Sequence, residues 1–283
     1  MKRTLAIDIG GTKFSIAIFE EARMTRRESR RTDQEGGRAW MLAQISEIVG
    51  DWRGEIQFDR CGIGFGGPVR FREQRVALST HVSGWSDFPL TEWVGDLAGA
   101  PAIMDNDANA GALGEACYGA ARGFSPIFYM TLSTGIGGGI YEDGRIWRGA
   151  DSYGGEIGHL TIRPDGPACL CGARGCFERM CCGLWLARDY GRSAQELMQD
   201  AAFVRRYVVD LTLGLKACIM LLNPARIVIG GGIGKAGDRL IQPLREELRR
   251  QITAWSGARI DVVAAALADD SVLYGALALA ESL

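Results

Sequence analysis

Between Glu156 and Glu178 the sequence runs EIGHLTIRPDGPACLCGARGCFE. Cys169, Cys171 and Cys176 fall within eight residues, and His159, one of only two histidines, lies ten residues before the first of them. Three thiolates and an imidazole are a standard donor set for structural zinc, which takes four N or S ligands in a tetrahedron. Gly172 and Gly175 stand between the cysteines, where a chain wrapping a metal must turn tightly. Ordinary reduced thiols in a loop would need no such spacing. Cys181 and Cys182 are close enough to compete as ligands. A metal knot here would hold the two bracketing carboxylates, Glu156 and Glu178, in fixed positions suited to a ligand rich in hydroxyls.

Other stretches point to phosphate. Asp8 ends an apolar run and is followed by Gly10-Gly11-Thr12-Lys13, then by FSIAIF. This reads as a β-hairpin whose turn offers consecutive backbone N–H groups, a hydroxyl and a cation, an anion-binding concavity. A plain hairpin turn is the alternative for GGTK alone. A second strand–glycine–strand unit, TLSTGIGGGIYEDG, follows about 127 residues later, with Thr134-Gly135 in its turn. Two glycine hairpins suggest two related lobes. No Walker A sequence occurs. Asp107 stands where the apolar strand 101–104 runs into a helix over 108–121, the position at which α/β folds place ligands. It is a candidate general base, while Asp107 or Asn106 could instead cap the helix.

The elements that must position these groups read as strands over 5–7, 14–19, 23–31, 61–65, 101–104, 127–132, 140–141, 226–229 and 260–267. Helices are expected over 37–52, 89–97, 203–222, 234–255 and 271–283. GIGFGG (62–67) and GIGKAG (232–237) match G-x-G-x-x-G. The first is followed by Pro68 instead of a helix, and the second lacks an acid at the end of its next strand, where Asp261 comes at the start. Gly231-Gly232 therefore reads as a backbone seat for a nucleoside. His81 reads as a loop residue, and Trp85 as an anchor for that loop.

The 283 residues suggest about two domains. Hydrophobic residues are 47%, charged 23%, and net charge −2, with no basic excess to serve nucleic acid. No secretory signal and no apolar run of membrane-spanning length are visible. Eight cysteines without an export signal suit a reducing cytoplasm, with Cys61, Cys117 and Cys218 in apolar core patterns. Together the turns, the strand-end Asp and the anchored glutamates suggest phosphoryl transfer to a polyol, chemistry in which the protein mainly positions groups and neutralises charge.

Over nearly its whole length the chain resembles ROK-family sugar kinases of the bacterial glucokinase and N-acetylhexosamine kinase type. The motifs are DIGGTK (8–13), GGPV (66–69), NDAN (106–109), LSTGIGGGI (132–140), GGEIGH (154–159), CLCGARGCFE (169–178) and IVIGGGI (227–233). The resemblance implies an α/β, actin-like ATPase (ribonuclease H-like) fold. Its two lobes would flank a cleft, a small lobe of 1–108 plus 269–283 and a large one of 109–268 with the zinc knot. It implies Asp107 as base for a sugar 6-hydroxyl, and Gly66, Gly67, Asn106, Glu156, His159 and Glu178 around the sugar. Asp8 would serve Mg2+. Gly10, Gly11, Thr12, Lys13, Thr134 and Gly135 would hold ATP phosphates, and Gly231 and Gly232 the nucleoside. The zinc ligands would be His159, Cys169, Cys171 and Cys176, leaving Cys181 and Cys182 aside. Partners would be sugar and ATP, without nucleic acid or membrane, in a homodimer or homotetramer.

Many such glucokinases carry an Asn ahead of the Gly-Trp pair, where this chain has Thr80-His81-Val82-Ser83-Gly84-Trp85. Glucose is the first acceptor expected, with N-acetylmannosamine, N-acetylglucosamine, fructose and allose open. Three rivals are distinguishable. A sugar-responsive repressor of the family would carry an N-terminal helix-turn-helix, for which a turn beginning at Asp8 leaves no room. A dehydrogenase would bind NAD at GIGKAG. A non-catalytic sensor would bind sugar without turnover.

Overall fold

Near-continuous apolar runs make strands buried on both faces, and such strands occupy the middle of each of two sheets. A computed structural model describes residues 2–79, 82–252, 256–258 and 260–283. Thr80, His81 and Trp255 lie outside the described residues. The chain divides into unit 1, Met1–Cys117 with Arg148–Tyr153 and Asp270–Leu283, and unit 2, Tyr118–Trp147 with Gly154–Asp269.

In unit 1, β1 (Arg3–Ile9) and β2 (Lys13–Glu20) are buried almost throughout. β3 (Arg23–Arg31) alternates exposed and half-buried, the pattern of an edge strand facing water on one side. Helix α1 (Gly37–Arg53) buries Met41, Ile45, Ile48, Val49 and Trp52. β4 (Arg60–Phe65) is wholly buried, and β5 (Val69–Arg70) pairs with β6 (Arg75–Val76) in a small ribbon. Helix α2 (Leu90–Ala98), β7 (Ala102–Asn106) and α3 (Asp107–Cys117) follow. The sheet order is β3-β2-β1-β4-β7, with β1, β4 and β7 parallel. Trp85 is buried edge-on against Phe65 and Phe88, so it does anchor its loop. Helix α3 stops at Cys117, short of the expected Ala121, because Gly119, a poor helix former, stands two residues on.

The C-terminal helix, Ser271–Ala280, lies directly on β4 and α3. A Cβ at Gly275 would stand 1.7 Å from the Ala110 carbonyl oxygen, and one at Gly62 1.8 Å from that of Ala276. Only glycine permits this approach.

Unit 2 repeats the plan. β8 (Ile127–Leu132), β9 (Ile136–Glu142) and β10 (Arg145–Ile146) are antiparallel. Helices α4 (Phe177–Cys181), α5 (Gly183–Tyr190), α6 (Ala194–Leu197) and α7 (Ala201–Leu222) precede β11 (Arg226–Gly230). Helices α8 (Gly231–Gly234) and α9 (Asp238–Gln251) then lead to β12 (Val262–Ala264). The order β10-β9-β8-β11-β12 matches that of unit 1 strand for strand, so the weak internal repeat reflects one topology used twice. Three expectations shift, one of them the strand expected over 260–267, which is regular only over Val262–Ala264. β9 begins at Ile136, taking Gly137-Gly138-Gly139 into the strand. A Cβ at Gly138 would sit 2.7 Å from the Gly155 carbonyl and 2.8 Å from the Phe128 ring, so these glycines serve close packing within a paired strand. The helix expected over 234–255 starts later, at Asp238, after a turn in which Gly237 takes φ +56°, and ends at Gln251. Among the described residues no helix is long and apolar enough to cross a membrane.

Candidate active site

In unit 1, β7 delivers Asp105 and Asn106 to the start of α3. Asn106 Oδ1 accepts the N–H groups of Ala108 (2.9 Å) and Asn109 (3.4 Å), the hydrogen bonds of an N-cap. Its Nδ2 donates to the Gly67 carbonyl at 3.0 Å, tying the Gly66-Gly67 turn to the same point. Asp107 is the first helical residue, its Oδ1 2.8 Å from the Ala108 N–H. A Cβ at Gly66 would stand 3.5 Å from Asp107 Oδ2 and 3.1 Å from the Ile9 carbonyl, so β1, the Gly66 turn and Asp107 converge. Two residues missed from the sequence hold β7 in place. Gln74, at φ 55°, accepts the Met104 N–H on Oε1 (2.7 Å) and donates from Nε2 to the Met104 carbonyl (3.2 Å), as a neighbouring strand would. Arg148 grips Asp105, with Nε and Nη2 2.8 and 2.7 Å from Oδ2. Neither sits in a motif; only the fold brings them to the strand end.

The Gly10–Lys13 turn is fixed by the Gly10 N–H to the Lys13 carbonyl (3.0 Å), Thr32 Oγ1 to the Gly10 carbonyl (2.9 Å) and Gln34 Nε2 to the Gly11 carbonyl (2.9 Å). The Thr32 N–H holds the Thr12 carbonyl at 3.0 Å, and Asp8, the last but one residue of β1, is half-buried. In unit 2 the corresponding turn is held by the Gly183 N–H to the Ser133 carbonyl (2.7 Å) and the Leu184 N–H to the Thr134 carbonyl (3.2 Å). Glu178 Oε2 accepts the Ile136 N–H at 2.9 Å, and a Cβ at Gly135 would lie 2.7 Å from that oxygen. Glu178, expected at the sugar, thus braces the turn expected to hold phosphate.

A cavity of about 250 Å3 opens beside this turn, lined by Ser133, Thr134, Leu184, Gln195, Gly232 and Ile233 among others. Gly231 lines a separate cavity of about 270 Å3 with Lys235 and Ala264. The two residues expected at the nucleoside therefore face different spaces, and it is Gly232 that shares one with Thr134. Leu184 and Gln195 escaped notice in the sequence, since α5 and α6 carry no motif. Asp261 is bound to Arg226 at 2.9 Å and precedes β12, which removes the acid a dinucleotide site would use.

The ligand atoms of His159, Cys169, Cys171 and Cys176 lie within 4.8 Å of one another. The Cys171 and Cys176 sulfurs are 3.6 Å apart, close to the roughly 3.8 Å edge of a tetrahedron with Zn–S bonds of about 2.3 Å. Gly172 and Gly175 take φ of +92° and +60°, and a Cβ at Gly175 would meet the Arg163 carbonyl at 1.6 Å. The Ala173 N–H beside Cys171 draws its thiol down to about 7, favouring thiolate. Cys181 and Cys182 are fully buried and are not among the donor atoms that lie together with His159. Glu156, half-buried, has its carboxyl raised by desolvation, with His159 opposing and Glu178 reinforcing. Its carboxylate thus senses two of the other groups expected at the sugar, His159 and Glu178.

The sequence model of the ROK family matches residues 4–282. The chain belongs to the ROK family. Among its ROK-like relatives, the glucokinase of Thermotoga maritima is 31% identical over 98% of this chain and 96% of its own length. The N-acetylmannosamine kinase of Vibrio cholerae is 35% identical over 83% of this chain and 85% of its own. A ROK family glucokinase from Streptomyces griseus, solved in complex with glucose and AMPPNP, superposes with a TM-score of 0.87 at 27% identity, covering 99% of this chain and 100% of that one. The fold is the actin-like ATPase fold of ROK sugar kinases.

Proposed function

We propose that this ATP-dependent sugar kinase phosphorylates the 6-hydroxyl of a hexose, with glucose the first acceptor. The observation that carries the reading is the division of labour at the start of α3. Asn106 caps the helix and leaves Asp107, one residue on, at the Gly66 turn. Asp107 takes the hydroxyl proton as the sugar oxygen attacks the γ-phosphorus and the bond to ADP breaks. Gly10, Gly11, Thr12, Lys13, Thr134 and Gly135 receive the phosphates, and Gly232 with Leu184 and Gln195 seats the nucleoside. Mg2+, served by Asp8, would neutralise phosphate charge. Asn106, Glu156, His159, Glu178 and the Gly66-Gly67 backbone hold sugar hydroxyls. Glu178 does so through Oε1, since Oε2 is engaged by Ile136.

Zinc bound by His159, Cys169, Cys171 and Cys176 would order the loop that carries these groups. One His159 nitrogen would ligate the zinc and leave the other for the sugar, an orientation that ligation would fix. Glucose is favoured by the glucokinase relatives and by the glucose in the S. griseus complex. N-acetylmannosamine is the second reading, because the V. cholerae kinase is the more identical over the part it covers. Eight free cysteines suit a cytoplasmic chain, and the family resemblance favours a homodimer or homotetramer. The test is ADP release from Mg-ATP across hexoses and N-acetylhexosamines. One sugar should give turnover, and Asp107→Ala should lower kcat by about 10²–10⁴-fold. A variant that keeps most activity would place the base elsewhere, and silence across the panel with sugar still bound would indicate a sensor.

A further inference from the structure

Segment 148–153 belongs to unit 1, whereas the chain on either side of it belongs to unit 2. Its first residue makes a salt bridge to β7. Arg148 sets Nε and Nη2 at 2.8 and 2.7 Å from Asp105 Oδ2, and its guanidinium lies 3.5 Å above the Phe71 ring centroid. The segment is pinned again where the Phe71 N–H donates to Ser152 Oγ at 3.3 Å. Asp105 is fully buried. Its other oxygen, Oδ1, accepts the Asn106 N–H at 2.8 Å and Asn109 Nδ2 at 3.0 Å.

A buried carboxylate keeps its charge and place only while a cation and hydrogen-bond donors face it. With Arg148 removed, Asp105 would take up a proton or turn away, and either change disturbs Oδ1. That oxygen fixes Asn106, whose side chain caps α3 and holds Gly67. Asp107 sits between these bonds. We infer that Arg148 is a positioning residue for phosphoryl transfer, fixing through Asp105 the turn that presents Asp107; this rests on reading Asp107 as the base. Lysine cannot reproduce it, since a single ammonium lacks both the planar fork and the stacking face.

The test uses the full-length chain with its best sugar, comparing R148Q, R148K, D105N, the R148Q/D105N double variant and D107A. The readouts are kcat, KM for sugar, KM for ATP and melting temperature. R148Q should lose at least tenfold in kcat, with KM for ATP within twofold of the parent, and R148K should recover only part. The double variant should be no worse than the poorer single one, because the two side chains act as one unit. Independent, multiplying losses would overturn the inference. So would R148Q with kcat within twofold of the parent, or a loss confined to thermal stability. If R148Q does not fold, R148K decides by the same criteria. D107A separates the two ideas: if it stays active the base assignment falls, and if it is inactive while Arg148 variants turn over normally only the positioning role falls.

Discussion

Asn106 and Asp107 show how adjacent residues of similar size stand differently at one turn. Each could cap α3, and sequence alone left the choice open. The bonds from Asn106 Oδ1 to Ala108 and Asn109 settle the cap. Glu156 gives a second residue-scale expectation. Desolvation raises its carboxyl above the ordinary value of about 4.3. Its ionised form, the better acceptor of sugar hydroxyls, is therefore lost earlier than usual as pH falls. KM for sugar should rise as pH falls below neutrality while KM for ATP stays level, and Glu156→Gln should flatten that rise. An unchanged slope in the variant would assign the titration to another group. The sign for stability is opposite: the folded chain favours protonated Glu156, so its contribution is present at low pH and fades as pH rises through the elevated value. These residues were readable because each stands in a short motif. Gln74 and Arg148 were not, since their roles depend on β7 being placed beside a ribbon and a distant segment.

At the scale of elements, glycines and cysteines set the geometry. The Cys/His loop has almost no regular structure, so its order depends on turns at Gly172 and Gly175 and on what the four donors bind. Cys171→Ser should lower zinc from about one per chain toward none and raise KM for sugar, with KM for ATP little changed. Elemental analysis beside kinetics checks this, and parent protein purified without zinc would refute it. The C-terminal helix gives a separate case. Gly275→Ala places a methyl against the Ala110 carbonyl. Overpacking of this kind costs about 3 kcal/mol, which lowers the melting temperature by roughly 6–12 °C for a unit of this size. A thermal melt within a degree of the parent would show that the helix shifts freely. Strand and helix identities were legible from periodicity and glycine punctuation. The start of β9 was not, because Gly137-Gly138-Gly139 looks like a loop until its partner strand and Phe128 are in place.

On the scale of the molecule, two sheets of identical strand order explain why AIDIGGTKFSIAIF and TLSTGIGGGIYEDG look alike: each is the first hairpin of one topology. That likeness, with the motif spacing, made the fold legible before any coordinate. Unit 1 is nonetheless built from three stretches of chain, the last of them Asp270–Leu283. Translation proceeds from the N-terminus, so the β1–β7 sheet leaves the ribosome without the helix that covers β4. Unit 2 has no such wait and is complete once Asp269 has emerged. The later-made half can thus close first, while the earlier-made sheet waits for its covering helix during synthesis.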